Sequence, residues 1–95
     1  MAAYRAAVRP PAAEVIRHLP PGIKRAVRSA IGEVLANPAS GEPLHGELDG
    51  FWKYRVRRFR VIYQVDRKKR LVNILAVGER RSIYEELAEL LRSPE

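Results

Sequence analysis

The chain contains no cysteine among its 95 residues and only two histidines. It therefore has neither a disulfide scaffold nor a thiolate that could act as a nucleophile or bind zinc. Its longest apolar stretch, Leu71 to Val77, contains Asn73 and is far shorter than the ~20 residues of a membrane span. The opening residues, MAAYRAAVRPP, lack the apolar segment of a signal peptide. We therefore expect a cytoplasmic protein with no membrane segment.

What the chain has in excess is positive charge. It carries 18 Lys and Arg against 11 Asp and Glu, for a net charge of +7 and a pI of about 10.4. Residues 51–70 alone have a net charge of +8, whereas residues 1–50 have +1 and residues 71–95 have −2. A pI above 9 is typical of proteins that bind a polyanion, most often a nucleic acid. The alternative is a solvated charged face, which is the usual fate of a charge run.

The length fits a single domain over residues 1–95. The period of the apolar residues predicts a first strand over residues 2–8 and then two helices, over residues 12–19 and 23–36. Pro20-Pro21-Gly22 separates the helices, so they form a hairpin with a short link. A last helix is predicted by the helical spacing of Ile83, Leu87, Leu90 and Leu91.

After Phe51 the period of the apolar residues changes to two, which indicates paired strands. A two-residue turn at Arg57-Arg58 places Arg55 directly opposite Arg60. One face of this hairpin is then apolar or aromatic, with Trp52, Tyr54, Val56, Phe59, Val61, Tyr63 and Val65. The other face carries Lys53, Arg55, Arg60 and Gln64. A slip of one residue would mix the two sets, so the register is well specified.

Together the elements predict an α+β fold in the order β-α-α-β-β-β-α. Residues 38–50, which are rich in Pro, Gly, Ser and Asp, are predicted to be an irregular loop, and residues 71–77 a third strand of the sheet. The simplest architecture has two layers, in which the N-terminal helical hairpin packs on one face of a mainly antiparallel sheet. The other face of the sheet then carries the cationic residues. A short helix follows at the C-terminus of the chain.

The opposed arginines suggest a function, because like charges facing each other across an antiparallel pair destabilise the fold. A bound phosphate backbone explains them. This face has no Cys, no His, no carboxylate pair and no Gly-rich phosphate loop, so chemistry there depends on Lys, Arg and Tyr. Arginine stabilises a phosphorane-like charge, and a lysine or tyrosine assists proton transfer. If the substrate is RNA, its own 2′-OH is the nucleophile, and neither a metal nor a cofactor is required.

The segment LDGFWKYRVRRFRVIYQVD, followed by LAVGERRSIY, resembles the RelE/ParE superfamily of bacterial toxin–antitoxin toxins. The shared pattern is a Leu-x-Gly loop, a strand of alternating basic residues, an aromatic-Arg-(Val/Leu)-(Ile/Val)-Tyr strand and a later Arg before Ile-Tyr. The predicted order of elements matches as well, so the resemblance covers nearly the whole chain. It implies a RelE-like fold. In the RelE branch it also implies an mRNA endoribonuclease that works in the ribosomal A site, leaves a 2′,3′-cyclic phosphate and inhibits translation.

The resemblance implies five catalytic residues. Lys53 and Arg55 match the basic strand positions, one of them a proton acceptor or anion stabiliser, and Arg60 matches the arginine that stabilises the transition state. Arg80 matches the arginine that serves the leaving group. Tyr84 matches the tyrosine that orients or stacks on the substrate, although it could simply pack at the start of the last helix. Further RNA contacts are expected from Arg57, Arg58, Arg81, Lys68 and Lys69.

Two features depart from the family pattern. Arg57-Arg58 stands at a turn where the family often has glycine, and arginine tolerates positive φ poorly. Either the turn is longer than two residues, or two more cations were placed beside the site. A C-terminal histidine that some members use together with a loop glutamate is missing, although Glu42 could match that glutamate.

The resemblance leaves three functions open. The first is the ribosome-dependent endoribonuclease, whose partners are the ribosome and mRNA. The second is a ParE-like inhibitor of DNA gyrase, and the third is an inert RNA-binding protein of the same fold. In each case we expect a cognate antitoxin, RelB-like or other, whose acidic and partly disordered segment would suit a basic toxin surface.

Overall fold

A computed structural model of the chain describes residues 4–79 and 81–92. Strand β1 spans Arg5–Val8, and the helices α1 and α2 span Pro10–Arg17 and Pro21–Ala36. Both helices have proline in the first turn, where the missing N–H leaves no hydrogen bond unmade. Within the described residues no helix is long and apolar enough to cross a membrane. The predicted first strand is therefore confirmed from Arg5 onwards, and the helical hairpin is confirmed with both helices beginning earlier than predicted.

The remaining strands form one five-stranded sheet with β1. They are β2 (Glu42–Pro43), β3 (Trp52–Val56), β4 (Phe59–Asp66) and β5 (Leu71–Gly78). The strand order is β1-β5-β4-β3-β2, in which β1 runs parallel to β5 and every other pair is antiparallel. The mainly antiparallel sheet predicted from the sequence is confirmed.

The segment 38–50 is more ordered than the irregular loop that the sequence predicted. It contains two short 3₁₀ turns, Pro38–Ser40 and Gly46–Leu48, and between them the two residues of β2. Glu42 pairs with Lys53 and Pro43 pairs with Trp52, so this strand forms the edge of the sheet. A two-residue strand is too short to produce a period in the sequence, which is why the pattern missed it.

The hairpin of β3 and β4 has the predicted register, with Arg55 opposite Arg60 and Val56 opposite Phe59. Its turn consists of two residues only, and the first of them, Arg57, has a φ of 57°. The alternative of a longer turn is therefore wrong. Residues in this left-handed region are usually glycine or asparagine, because a Cβ there lies close to the following carbonyl oxygen.

The main core lies between the sheet and the hairpin of α1 and α2. All seven residues of the predicted apolar face take part in it: Val56, Phe59, Val61 and Tyr63 are buried, and Trp52, Tyr54 and Val65 are partly buried against them. The rings of Trp52 and Tyr63 stack with their centroids 6.2 Å apart. From the helices, Ala12, Val27 and Val34 are fully buried in this core.

Helix α3, over Ser82–Arg92, packs on the opposite face of the sheet. A second apolar cluster, the α3 cluster, forms there from Leu48, Phe51, Ile62, Ile83, Leu87 and Ala88. The sequence predicted that the cations occupy this face of the sheet. That prediction is wrong around Ile62, where the apolar residues of the α3 cluster cover the sheet. Helices cover both faces of the sheet, and the cations share the second face with α3.

A bulge in the sheet makes this second cluster possible. Ile62 pairs with Ala76, but its neighbour Tyr63 pairs with Ile74, so Leu75 has no partner on β4. Successive residues of a regular strand point to opposite faces. The extra residue breaks that alternation, and Leu75 and Ala76 both pack against the α3 cluster.

Candidate active site

The cationic face of the hairpin brings three of the predicted residues together. Lys53 and Arg55 are two residues apart on β3 and so point to the same face of the sheet. Arg60 lies opposite Arg55 on β4. Arg55 is exposed, whereas Lys53 and Arg60 are half-buried. Two guanidinium forks next to an ammonium group match the geometry and charge of a phosphate.

Arg60 is held by contacts on two sides. Its Nη1 donates a hydrogen bond of 3.0 Å to the carbonyl oxygen of Glu79, directly after β5. Its guanidinium carbon lies 5.8 Å from the centre of the Tyr84 ring, which is within the range of a cation–π contact. Its Nε is buried and has no hydrogen-bond partner among the described residues. A buried polar group without a partner costs free energy and calls for an explanation.

Tyr84 reaches Arg60 because α3 begins close to the sheet. Gly78 lies opposite Arg60 on β5, and a Cβ at Gly78 would lie 3.0 Å from Cδ1 of Ile83. The absence of a side chain there allows the first turn of α3 to sit over the end of β5. Tyr84 is partly buried against the α3 cluster, and its hydroxyl is buried without a hydrogen-bond partner in the described part of the chain.

Lys53 forms an ion pair with Glu42 across the edge of the sheet. The Nζ of Lys53 lies 3.5 Å from Oε1 of Glu42, because β2 places the two residues opposite each other. Beside this pair is a pocket of about 440 Å³. It is lined by Ser40, Gly41, Glu42, Lys53, Tyr54 and Arg55. The glutamate that the resemblance suggested thus lies beside the first predicted catalytic residue.

Tyr63 fixes the loop that carries Glu42. Its hydroxyl donates to the carbonyl oxygen of Pro38 at 2.8 Å and accepts from the backbone N–H of Gly41 at 3.1 Å. Burial raises the pKa of Tyr63 above its usual value. A Cβ at Gly41 would collide with this hydroxyl and with the carbonyl oxygen of Lys53, so only glycine fits there. The aromatic core of the sheet therefore positions the edge of the site.

The other predicted RNA-binding residues separate into two groups. Arg57, Arg58 and Arg81 are exposed near the site, and Nε of Arg58 lies 3.8 Å from Oε2 of Glu79. Lys68 and Lys69 are exposed in the turn at the far end of β4, away from Arg60. The remaining predicted catalytic residue, Arg80, lies outside the described residues.

Sequence reasoning missed Glu79, which contacts both Arg58 and Arg60. It follows the last residue of β5, where the period of the strand has ended, and it meets Arg60 through its backbone. Among residues 4–79 and 81–92, no group of three or more His, Cys, Asp or Glu side chains is placed to hold a metal ion. The groups on this face that can take part in chemistry include the cations, Tyr84 and the carboxylate of Glu42.

Known bacterial toxins are similar to this chain in sequence. The family described as the ParE toxin of the type II toxin–antitoxin system parDE matches residues 8–84. A protein of Mycobacterium tuberculosis named Toxin RelE is 32% identical over 83 residues, which cover 85% of this chain and 86% of that protein.

The fold is similar to that of solved toxin structures. A chain in the crystal structure of the toxin–antitoxin complex RelBE2 from M. tuberculosis superposes with a TM-score of 0.75 at 32% identity, covering 83% of this chain and 100% of that one. The isolated E. coli RelE toxin superposes with a TM-score of 0.72 at 25% identity, covering 93% of this chain and 98% of that one.

Proposed function

Because the chain belongs to the RelE/ParE superfamily of toxins from type II toxin–antitoxin systems, we propose that it is an endoribonuclease that cuts mRNA on the ribosome in the cytoplasm. The observation that carries this proposal is the pair of Arg60 and Tyr84. Each has a buried polar atom without a partner among the described residues, and the two side chains contact each other. A phosphate that displaces the Tyr84 ring supplies both partners.

The proposed reaction uses the RNA as its own nucleophile. The 2′-oxygen attacks the adjacent phosphorus, the bond from phosphorus to the 5′-oxygen breaks, and the products are a 2′,3′-cyclic phosphate and a 5′-hydroxyl. The guanidinium of Arg60 stabilises the charge on the phosphorane oxygens. Arg80 stabilises the 5′-oxygen as it leaves, and that oxygen takes up a proton from the surrounding water.

The proton of the 2′-OH needs an acceptor. Lys53 is paired with Glu42, so we assign its ammonium to the phosphate, together with Arg55. The carboxylate of Glu42, which lies beside Lys53, then accepts the proton of the 2′-OH. Replacing Glu42 by Gln keeps the shape of the side chain but removes the proton acceptor, so it should slow single-turnover cleavage.

Single-turnover cleavage of mRNA bound to 70S ribosomes tests the assignment. Arg60→Ala should slow cleavage about 10²- to 10³-fold, as expected for the loss of one donor to the transition-state charge, and Tyr84→Phe should also slow it. Arg25→Ala is the matched control, because this exposed arginine lies in α2 on the other face of the sheet. If Arg60→Ala and Tyr84→Phe cut as fast as the wild-type protein, the assigned mechanism is wrong. A wild-type protein that binds RNA without cutting would select the inert alternative.

The second candidate function is inhibition of DNA gyrase. It is favoured by the match of residues 8–84 to the ParE toxin family. A supercoiling assay with the purified protein separates the two functions. Inhibition of gyrase together with intact ribosome-bound mRNA would reverse the order of the two candidates.

We also infer that the partner of this chain is an antitoxin. Similar toxins have been crystallised with antitoxins, in the RelBE2 complex of M. tuberculosis and in the intact RelBE complex of E. coli. The net charge of +7 favours an acidic antitoxin segment. Purification of the chain together with the product of the neighbouring reading frame would test this inference.

A further inference from the structure

The pocket beside Lys53 contains a part of the edge of β3 that β2 does not cover. Strand β2 begins at Glu42, which pairs with Lys53. Two residues further along β3 is Arg55, and the residue that would continue β2 opposite it is Ser40. Ser40 instead belongs to the first 3₁₀ turn and lines the other wall of the pocket. The edge of the sheet is therefore open at Arg55.

The main-chain groups of Arg55 point into this opening. Val56 and Phe59 flank the two-residue turn, so they form the hydrogen-bonded pair that closes the hairpin. Hydrogen-bonded and non-hydrogen-bonded pairs alternate along an antiparallel ladder, so the N–H and C=O of Arg55 face away from β4. The N–H of Leu44 donates to the carbonyl oxygen of Phe51 at 2.8 Å, which shows the same alternation on the other side of β3. Arg55 thus presents one donor and one acceptor side by side to the pocket.

This open edge is too short to pair with another strand. On one side of Arg55 the next residue with the same orientation is Lys53, which is already paired with Glu42. On the other side it is Arg57, which lies in the turn with a φ of 57°. A strand pairs through several alternate residues, whereas the base-pairing edge of a nucleobase needs only one donor and one acceptor next to each other. Each of the four RNA bases has such a pair, so the edge can orient any of them.

The cations beside the opening are those that the proposed function assigns to the phosphate. The side chain of Arg55 lies on the same face as Lys53 and Arg60. One residue can therefore bind the phosphate with its guanidinium and the adjoining base with its main chain. The hydroxyl of Ser40 on the opposite wall is both a donor and an acceptor. The volume of about 440 Å³ is within the range of about 300–1,000 Å³ that is usual for small-ligand pockets.

We propose that the open edge of β3 at Arg55 binds the nucleobase of one of the two nucleotides that flank the cleaved phosphate. The inference rests on the proposed function and adds to it the group that fixes the orientation of this nucleotide. The base accepts a hydrogen bond from the N–H of Arg55 and donates one to its C=O. Ser40 and Gly41 form the wall on the other side of the base.

Amide hydrogen exchange of the full chain, measured by NMR, tests this contact at the atom concerned. In the free protein the N–H of Arg55 should exchange fast, whereas that of Tyr54, which faces β4, should exchange slowly. A short single-stranded RNA should slow exchange at Arg55 at least about tenfold, as expected for one new hydrogen bond, and leave Tyr54 unchanged. The matched ligand is the same sugar–phosphate chain without bases, which should shift the signals of Arg60 but not protect Arg55.

Three results would overturn the inference. The first is slow exchange of Arg55 in the free protein, because its N–H would then already have a partner. The second is equal protection by the chain without bases, which would indicate a phosphate contact. The third is no protection of Arg55 at RNA concentrations that saturate the shift of Arg60, including the case in which only a protein partner protects it.

Single-turnover cleavage on 70S ribosomes tests the same pocket in the full complex. Ser40→Trp should fill the pocket and slow cleavage of the ordinary message at least about tenfold, since an RNA base contact contributes about 1–3 kcal/mol. Two further messages are abasic on the 5′ or on the 3′ side of the cut. On one of them Ser40→Trp should cut within about threefold of the wild-type protein, because the base that competes with the indole is missing.

The matched control is Ser29→Trp, which adds the same ring to an exposed serine of α2 and should cut all three messages like the wild-type protein. Circular dichroism checks that each variant folds, and Ser40→Leu replaces Ser40→Trp if the latter does not. If the variant at Ser40 slows all three messages equally, or slows none of them, the pocket does not hold a base and the inference is wrong.

The proposed function and this inference fail in different ways. A wild-type protein that leaves ribosome-bound message intact would refute the endoribonuclease, while the exchange of Arg55 would still show whether its edge binds a base. A wild-type protein that cuts, without protection of Arg55 and without an effect of Ser40→Trp, would refute the base pocket and leave the endoribonuclease standing.

Discussion

Tyr63 shows how a single core residue sets the geometry of the cationic face. Its ring stacks on Trp52 in the main core, and its hydroxyl forms hydrogen bonds with Pro38 and Gly41 in the loop before β2. Glu42 follows that loop and pairs with Lys53. The position of a charged pair at the surface therefore depends on two hydrogen bonds beneath it.

Replacing Tyr63 by Phe should destabilise the protein by about 1–3 kcal/mol, because it leaves the carbonyl oxygen of Pro38 and the N–H of Gly41 without a partner. Urea denaturation measures this loss. The variant should also cut more slowly, since Glu42 is no longer fixed beside Lys53. A Tyr63→Phe protein with wild-type stability would show that these hydrogen bonds do not form.

The free energy of unfolding should depend on pH through the ionisation of Tyr63. Burial raises the pKa of Tyr63 in the folded protein, so the unfolded chain loses this proton first, at about pH 10. Its contribution is therefore fully present below about pH 10 and is lost as the pH rises towards the raised pKa. Stability measured between pH 8 and pH 11 should fall more steeply for the wild-type protein than for Tyr63→Phe. Tyr4→Phe is the control and should keep the steep fall.

The placement of the cations of the candidate site on one face was predictable from the sequence. Alternation along the two strands placed Lys53, Arg55 and Arg60 on one face, and the structure confirms this placement. Tyr84 was assigned to the site by the resemblance alone, and its contact with Arg60 is tertiary and was not predicted. The contact of Glu79 with Arg60 was missed because it is made through a backbone carbonyl, which leaves no trace in residue type or period.

Among the elements, α3 completes the candidate site by supplying Tyr84. It covers Ile62 and places Tyr84 beside Arg60. At its other end, Arg92 forms an ion pair with Glu47 of the second 3₁₀ turn. The helix is therefore attached to the sheet through its own small cluster, apart from the main core.

Truncating the anchor of α3 should loosen this helix. Leu87 is 2% exposed in the α3 cluster, so Leu87→Ala should cost about 2–5 kcal/mol. Leu90 lies on the same helix but is 60% exposed, and Leu90→Ala should change stability by less than about 0.5 kcal/mol. Hydrogen exchange should show faster exchange in α3 of Leu87→Ala, and cleavage should slow with it. Equal effects of the two substitutions would mean that the α3 cluster does not anchor the helix.

The sequence predicted the elements better than it predicted their packing. The register of β3 and β4 was predictable because any slip mixes apolar and charged side chains. The position of α3 was not predictable, since an apolar stripe on a helix does not specify which face of a sheet it covers. The bulge at Leu75, which provides the apolar surface for that helix, depends on pairing with β4 and does not show in the pattern of β5 alone.

At the scale of the whole molecule, the net charge of +7 is concentrated on one hairpin and the turn that follows it. Residues 51–70 fold into β3, β4 and two turns, and their cations lie at both ends of β4. The helical hairpin covers the other face of the sheet, over the main core. This distribution is consistent with a small protein that meets a large polyanion at more than one place.

The central claim is that the RNA supplies the nucleophile. It is tested most directly by cleavage of two ribosome-bound messages that differ only in one 2′-deoxynucleotide at the position that is cut. We predict that the wild-type protein cuts the unmodified message to a 2′,3′-cyclic phosphate and leaves the deoxy-substituted message intact. Cleavage of both messages at the same rate, or of neither, would contradict it.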